Sequence, residues 1–260
     1  MRRSVILTAM AVMSLSSMGC MGLMATPTPA APTAADYAEA LAAPIRPADD
    51  RARDAARHTA ETLAFAGVRP GQKIADMIIG GGYFTRVFSA AVGPRGRVTA
   101  WQPAEFIAFQ ASYGDSLAAA DALANVDAIR SPIAAPDFPA GLDLVFTAQN
   151  YHDMHLDFMG PADLSVVNRK VFAALKPGGV YIVIDHSAKA GSGLRDTGTL
   201  HRIDAALVRR EIEAAGFIYE GESRILRNPR DAMTINVFEP SIRGRTDQFI
   251  YRFRKPRSAR

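Results

Sequence analysis

The sequence predicts an α/β fold in which a doubly wound, mostly parallel β-sheet carries helices on both faces. Two observations lead to this prediction. Short apolar runs of strand length alternate along the chain with longer stretches of helical character. In addition, the apolar run Ile74–Ile79 leads into Gly80, Gly81 and Gly82 and then into a predicted helix from Tyr83 to Val92. A buried strand, a glycine turn and a helix start, in this order, are typical of a cradle for a nucleotide-type ligand.

The composition is that of a globular protein with a mildly basic charge. Of the 260 residues, 48% are hydrophobic, which is enough to bury a packed core. The formal net charge of +4 comes largely from the two ends of the chain, without a basic stripe carrying interleaved aromatic residues, so we expect no nucleic-acid partner. The single cysteine excludes an internal disulfide bond and a cysteine-rich zinc site.

Residues 1–25 have the pattern of an export signal. Arg2 and Arg3 form a charged start, the apolar stretch Val5–Met13 follows, and small residues come next. The apolar stretch is shorter than the roughly 20 residues of a membrane-spanning helix. We therefore predict an exported, periplasmic protein. Two forms stay open: ordinary cleavage of the signal, or a lipid anchor on Cys20 that attaches the protein to a membrane.

A linker and the first helices of the main domain follow the signal. The linker, rich in proline and alanine, is predicted at 26–46 and includes a short helix at 36–43. The main domain is predicted at 47–256 and begins with a helix over 51–66, which leaves a basic tail at 257–260. A small-molecule substrate is the expected partner, and the oligomeric state is left open.

Strands and helices continue to alternate after the glycine turn. Strands are predicted at 97–102, 126–129, 142–148, 180–184, 217–226 and 248–254. Helices are predicted at 103–124, with a break at Gly114, and at 163–176 and 204–215. The polar segment 228–245 is predicted to be a loop or lid. Arg202, Arg209 and Arg210 are interpreted as a solvated helix face, and His58 as a surface residue.

Three further motifs give the chain a resemblance to class I S-adenosylmethionine-dependent methyltransferases. They are Val68–Asp76, the run Leu175-Lys-Pro-Gly-Gly-Val-Tyr-Ile-Val-Ile184, and Glu213-Ala-Ala-Gly-Phe217. More narrowly, the chain resembles a group of exported bacterial proteins described only as predicted methyltransferases. The shared pieces there are Asn150-Tyr-His-Asp-Met-His155, Thr199–Ile203 and Arg243–Gln248. The resemblance covers roughly residues 47–256.

The resemblance implies a Rossmann-like, seven-stranded sheet whose last strand is antiparallel, with S-adenosylmethionine as the cofactor. It implies that Gly80 and Gly82 pass under the methionine part of the cofactor, and that Asp76 is the acid that ends the first strand. Three positions depart from the family pattern. Ile78 replaces the first glycine, Gln102 replaces the acid that grips the ribose hydroxyls, and Ser131 stands where an acid usually follows the third strand near the adenine. The predicted cofactor-binding residues are Asp76, Gly80, Gly81, Gly82, Tyr83, Gln102 and Asn150.

Polar residues follow two strands that are predicted to be neighbours. Tyr151, His152 and Asp153 come after the fourth strand, and Asp185 and His186 come after the fifth. Because ligands of parallel sheets bind beyond the carboxyl ends of the strands, we expect these five residues at one crevice and predict them to be the catalytic set. In the methyltransferase interpretation, His152 or Asp153 takes a proton from the acceptor as a general base with a pKa near neutrality, and Tyr151 packs on cofactor or substrate.

Three other interpretations of these residues stay open. A metal-dependent enzyme would use imidazoles and a carboxylate for zinc or iron. The candidate ligands are His152, His155, Asp185, His186 and His201. A ligand-binding protein on the same fold would keep the crevice without transferase chemistry. In the third interpretation the polar residues only tie the loops at the strand ends together.

Overall fold

The computed structural model describes residues 30–157 and 162–257 of the protein. The predicted export signal with Cys20, the first part of the linker and the last three residues of the basic tail lie outside the described residues. Within the described part of the chain, no helix is long and apolar enough to cross a membrane.

The strands form one mixed sheet of seven, as predicted. They are β1 (Lys73–Met77), β2 (Arg97–Pro103), β3 (Val126–Ser131), β4 (Leu142–Ala148), β5 (Leu175–His186), β6 (Ile218–Ser223) and β7 (Gln248–Arg254). The order across the sheet is β3-β2-β1-β4-β5-β7-β6. The pairs from β3 to β5 are parallel, whereas β7 is antiparallel to both of its neighbours. The fold class predicted from the sequence is thereby confirmed.

The strand order reverses direction between β1 and β4, and this reversal positions the site. From β1 the chain proceeds outward through β2 and β3, then returns to the other side of β1 with β4 and β5. Asp76 of β1 is in register with Ala100 of β2 and with Phe146 of β4, so the carboxyl ends of these strands meet at one edge. A crevice opens beyond such a reversal point because the loops on its two sides diverge.

Helices cover both faces of the sheet. They are α1 (Ala38–Ala42), α2 (Ala48–Ala52), α3 (Thr59–Ala66), α4 (Tyr83–Val92), α5 (Ala104–Phe109), α6 (Ser112–Asp121), α7 (Leu164–Ala174), α8 (Thr197–Leu200) and α9 (Ala205–Ala214), with 3₁₀ turns at Ala34–Tyr37 and His152–His155. The carboxylates of Asp163 and Asp204 cap α7 and α9 by accepting hydrogen bonds from backbone N–H groups.

Strand β5 shows how the two faces are filled. Tyr181 and Val183 belong to the core that also contains the buried residues of α7 and α9. Ile182 and Ile184 point to the opposite side, into the core formed with α3 and α4. Successive side chains of a strand alternate between faces, so a continuous apolar run buries both sides.

The predicted helix over 51–66 is wrong as a single element, because it is divided into α2 and α3. The turn between them ends at His58, which has a left-handed backbone (φ 44°) and an exposed side chain. Asp54 lies in this turn and accepts hydrogen bonds from Arg46 and from the hydroxyl of Tyr83. These tertiary contacts override the helical propensity of the alanine-rich sequence.

Other boundaries also differ from the prediction. The break in the helical stretch after β2 falls at Gln110 and Ala111 rather than at Gly114. Strand β5 begins at Leu175 and so includes the Lys-Pro-Gly-Gly run. Within the segment predicted to be a linker, Tyr37 is buried and its hydroxyl donates to the backbone oxygens of Leu63 and Val68.

Candidate active site

The glycine turn lies at the carboxyl end of β1 and is held by hydrogen bonds to β2. The N–H of Gly80 donates to Oε1 of Gln102 at 3.0 Å, and the N–H of Ile78 donates to the carbonyl of Trp101 at 2.9 Å. Ile78 has a left-handed backbone (φ 64°), a conformation that a β-branched side chain rarely adopts. A Cβ atom added to Gly80 or Gly81 would meet no atom within 4 Å, so the outer side of the turn is free for a ligand.

Asp76 is buried below the turn and borders the smaller cavity described below. Its carboxylate accepts a hydrogen bond from the hydroxyl of Thr85 at 2.6 Å. Burial raises the pKa of Asp76 to about 7, although Thr85 and the nearby Arg57 oppose that rise. The charge of Asp76 is therefore sensitive to pH near neutrality.

Gln102 faces inward. Its side chain is fully buried, its Oε1 supports Gly80, and it is not among the residues that line the neighbouring cavity. Its Nε2 has no hydrogen-bond partner among the described residues. Gln102 therefore stabilises the turn in this structure and does not present the ribose contact that was predicted for it.

Two other predicted cofactor residues border the turn. Tyr83 starts α4, and its hydroxyl is held by Asp54 and by Thr59, whose Oγ1 lies 2.5 Å away. Asn150 donates from Nδ2 to the carbonyls of Ile78 (3.1 Å) and Ala148 (2.7 Å). Asn150 thereby ties the end of β4 to the turn after β1, and both Tyr83 and Asn150 line the smaller cavity.

His152 occupies the centre of the predicted catalytic set. Its Nδ1 lies 2.9 and 3.1 Å from the two carboxylate oxygens of Asp185, which is fully buried at the end of β5. Its Nε2 lies 3.2 Å from Oδ1 of Asp153 and 3.4 Å from Nδ1 of His201. The structure therefore brings together His152, Asp153 and Asp185 as predicted and adds His201.

The charge state of His152 differs from the predicted one. Burial disfavours the imidazolium, but the carboxylates of Asp185 and Asp153 outweigh burial and raise the pKa of His152 to about 10. Burial also opposes ionisation of Asp153, but hydrogen bonds from His152 and His201 lower the pKa of Asp153 to about 2. At neutral pH the imidazole is therefore protonated and the carboxylate is a weak base. Neither has the near-neutral pKa that was predicted for a general base.

His186 is close to His152 but is neutral at neutral pH, whereas His152 is positively charged. Its Nδ1 is 2.7 Å from Oγ1 of Thr246, and its ring centroid is 6.3 Å from that of His152. Burial, together with the positive charges of His152 and Arg202, lowers the pKa of His186 to about 4. His186 is thus a neutral imidazole at the edge of the crevice.

Tyr151 and His155 point away from the crevice. The hydroxyl of Tyr151 donates to Glu211 at 3.0 Å and accepts from Asn168 at 2.9 Å, and the ring is fully buried in the core. Nε2 of His155 lies 3.2 Å from the same carboxylate of Glu211. The prediction that Tyr151 packs on cofactor or substrate is wrong, and His155 does not join the other histidines.

Two adjoining cavities fill the crevice. The smaller, of 250 Å³, is bordered by the glycine turn, Asp76, His152 and Asp153. The larger, of 440 Å³, lies toward β5 and β7. His186 and Phe238 border both cavities, and Phe238 comes from the segment predicted to be a loop or lid.

The larger cavity is positively charged. Arg53, Arg57 and Arg243 line it, and none of the described residues that line it is acidic. Arg57 lies over the ring of Tyr83 at 4.6 Å and within 3.4 Å of the side-chain oxygen of Gln149. Burial and the neighbouring Arg53 lower the pKa of Arg57 to about 10, which leaves it charged at neutral pH. No local sequence pattern indicates that these arginines converge, because Arg53 and Arg57 lie in the turn between α2 and α3 whereas Arg243 lies in the segment between β6 and β7.

Comparison with known proteins identifies the fold. A methyltransferase from Aquifex aeolicus that depends on S-adenosylmethionine superposes with a TM-score of 0.50 at 17% identity, over 74% of this chain and 87% of that chain. One from Mesorhizobium loti gives 0.52 at 17% identity, over 76% and 97% of the two chains. The [4+2]-cyclase SpnF gives 0.52 at 17% identity, over 78% and 82%.

At these sequence identities the structural similarity shows only the fold. The chemistry has to be inferred from the residues of the site. No protein-family model matches the sequence, and no curated protein matches it. The chain has the fold of class I S-adenosylmethionine-dependent methyltransferases, as its sequence motifs predicted, and at least one enzyme with this fold is named for a different reaction.

Proposed function

We propose that the protein transfers a methyl group from S-adenosylmethionine to a small, negatively charged acceptor. The observation that carries this proposal is the glycine turn, whose free side faces a cavity at the point where the strand order reverses. That is where ligands of doubly wound sheets bind. The adjoining cavity gives room for a second molecule beside the first.

The residues at the turn fit part of the cofactor. Gly80 and Gly81 would accommodate its methionine portion, and Asp76 would neutralise its amino group when ionised. Gln102 and Ile78 leave the ribose with fewer contacts than in the family pattern, because Gln102 is occupied by Gly80 and Ile78 replaces a glycine. We therefore expect binding to be weaker than it would be with a charged ribose contact.

Bound S-adenosylmethionine would supply an electrophilic methyl group. The contribution of this chain would be to position the acceptor, which accounts for much of the rate in reactions between two bound molecules. The guanidinium groups of Arg53 and Arg57, which border both cavities, together with that of Arg243 in the larger cavity, would hold an anionic group of the acceptor. His186, being neutral, would accept a hydrogen bond from the nucleophilic group at the junction of the cavities.

A ligand-binding protein without transferase activity is the second candidate function. The inward orientation of Gln102 favours this candidate, since among the described residues that line the smaller cavity no acid at the end of β2 is available to bind the ribose. We also propose that the protein acts outside the cytoplasm, on the basis of the charged, apolar and small residues in positions 1–25.

Calorimetric titration of the purified protein with S-adenosylmethionine tests the proposal. We expect a one-to-one complex, and we expect Gly81→Val to weaken it by about tenfold or more, because the added side chain enters the free side of the turn. Folding should be unchanged in this variant, since Gly81 has no left-handed backbone and no near neighbour. Gly114→Ala, in α6 and outside the cavity, is the matched control.

The outcomes separate the two candidate functions. Absence of heat at about 1 mM cofactor would exclude the transferase proposal. If the cofactor binds, acceptors are compared as matched pairs, each an acid and its neutral amide, by the methyl transfer that they support. Turnover of the acids alone is expected, and turnover of the amides alone would contradict the role of the arginines.

A further inference from the structure

Three potential metal-ligand atoms converge at the edge of the smaller cavity. Nε2 of His152 is 3.2 Å from Oδ1 of Asp153 and 3.4 Å from Nδ1 of His201, and the last two atoms are 3.8 Å apart. Ligand atoms that bond one ion at about 2.1 Å, with bond angles of roughly 90° to 130°, lie about 3.0 to 3.8 Å apart. The three atoms already have the spacing of ligands around a single ion.

Asp185 orients the first of these ligands. Its carboxylate accepts from Nδ1 of His152 and also from the backbone N–H groups of His152 (2.8 Å) and His186 (2.7 Å). The bond to Nδ1 leaves Nε2 as the ring atom that faces Asp153 and His201. A carboxylate on the far nitrogen of a histidine is the usual outer partner of a metal-bound imidazole, because it fixes the ring and increases its basicity.

The backbone conformation of His201 is fixed by the residues that surround it. It has a left-handed backbone (φ 53°), a conformation that a residue other than glycine keeps only where its surroundings impose it. The next residue, Arg202, is fully buried and donates to the carbonyls of Ser187 and Ile235 and to Asp231. The prediction that Arg202 lies on a solvated face is wrong, and its burial fixes the segment that carries His201.

We propose that His152, Asp153 and His201 bind a divalent transition-metal ion. Two imidazoles and one carboxylate suit zinc or ferrous iron, whereas magnesium and calcium prefer sites made of oxygen ligands. Three protein ligands leave coordination positions open. His152 and Asp153 border the smaller cavity, so a group bound in that cavity could take an open position on the ion and be polarised by it.

The other histidines of the region have different partners. His155 is engaged with Glu211, and His186 with Thr246. Of the five candidate ligands predicted from the sequence, only His152 and His201 belong to the proposed site. Asp185 hydrogen-bonds to His152 instead of binding the ion, and Asp153 supplies the carboxylate ligand. The site requires no bound S-adenosylmethionine, so it does not depend on the proposed function.

Zinc titration of the chelator-treated protein, without S-adenosylmethionine, tests this inference by calorimetry. We expect one zinc ion per chain, a loss of affinity of about 100-fold or more in His201→Gln and Asp153→Asn, and a loss of about 10- to 100-fold in Asp185→Asn. His155→Gln is the matched control and should bind zinc as the native protein does. Magnesium should not compete with zinc.

Two results of this titration would contradict the proposed metal site. One is the absence of zinc binding at about 0.1 mM, and the other is binding that His201→Gln leaves unchanged. If the variants do not fold, cobalt is added to the native protein and the histidine ring signals are followed by NMR. The signals of His152 and His201 should then be displaced more than that of His155, and the reverse order would refute the proposal.

Discussion

The glycine turn after β1 and the histidine cluster, which consists of His152, Asp153, Asp185 and His201, meet at the same cavity but are built differently. The turn consists mainly of backbone, and neutral hydrogen bonds to Gln102 and to the carbonyl of Trp101 hold it in place. The cluster consists of side chains from three separate segments, and it contains the buried, charged imidazole of His152 beside the carboxylate of Asp153. A ligand at the turn would be recognised by shape, whereas one at the cluster would be recognised by charge.

This difference determines which substitutions should destabilise each region. Strain at the turn is local, because it resides in the backbone of Ile78. The cluster depends on ion pairs that continue behind it, above all the buried pair of Arg202 with Asp231. Mutations should therefore have their largest effects behind the cluster and smaller effects at the turn.

Removing the charge of Asp231 should lower the unfolding free energy more than any of the other substitutions. Asp231→Asn leaves the fully buried guanidinium of Arg202 without its counter-charge, and such a loss costs about 3–5 kcal/mol of unfolding free energy. Urea unfolding measures this change. The control is Glu213→Gln, which removes an exposed pair with Arg209 and should change the unfolding free energy by less than about 1 kcal/mol. Similar losses in the two variants would mean that the cluster has no special dependence on buried charge.

Truncating the side chain of Ile78 should lower the unfolding free energy by an intermediate amount. Unusually, the alanine variant should lose more stability than the glycine variant. Ile78→Ala removes a buried side chain and should cost about 2–5 kcal/mol of unfolding free energy. Ile78→Gly removes even more, yet glycine adopts the left-handed backbone without penalty. We therefore expect the glycine variant to be more stable than the alanine variant by about 1 kcal/mol, again by urea unfolding. The opposite order would show that the turn is not strained at this position.

The strands, and with them the turn, could be predicted from the sequence because local patterns determine them. The bounds of α4, β4 and β7 agree with the prediction, since each is a run of strand or helix length closed by glycine or polar residues. The apolar composition of β4 is typical of a strand buried on both faces, and its side chains do alternate between the two cores, with Val145 in one and Leu144 in the other.

The cluster could be predicted only in part, because long-range packing determines it. Placing Asp153 and Asp185 near His152 required only that β4 and β5 be neighbours. The approach of His201 depends on a left-handed residue and a buried arginine, and neither has a local signal in the sequence. The inward rotation of Tyr151 likewise depends on Glu211, a partner 60 residues away.

The last test perturbs the molecule least, because it changes only the pH. In the metal-free protein His152 should be protonated and His186 neutral at pH 7, since the pKa of His152 is raised to about 10 and that of His186 lowered to about 4. The stability contributed by the charged His152 is present below its ordinary pKa of about 6.5 and is lost as the pH rises through about 10. The contribution of the neutral His186 is present above about 6.5 and is lost as the pH falls through about 4.

NMR titration of the histidine rings measures both pKa values directly. In Asp185→Asn the pKa of His152 should fall, because the carboxylate that stabilises the imidazolium is removed. The pKa of His186 should fall as well, since Asp185 also favours its charged form. Titration of both rings near the ordinary pKa of 6.5 would show that the buried charges do not set the electrostatics of the cluster. The contrast between a neutral turn and a charged cluster would then no longer hold.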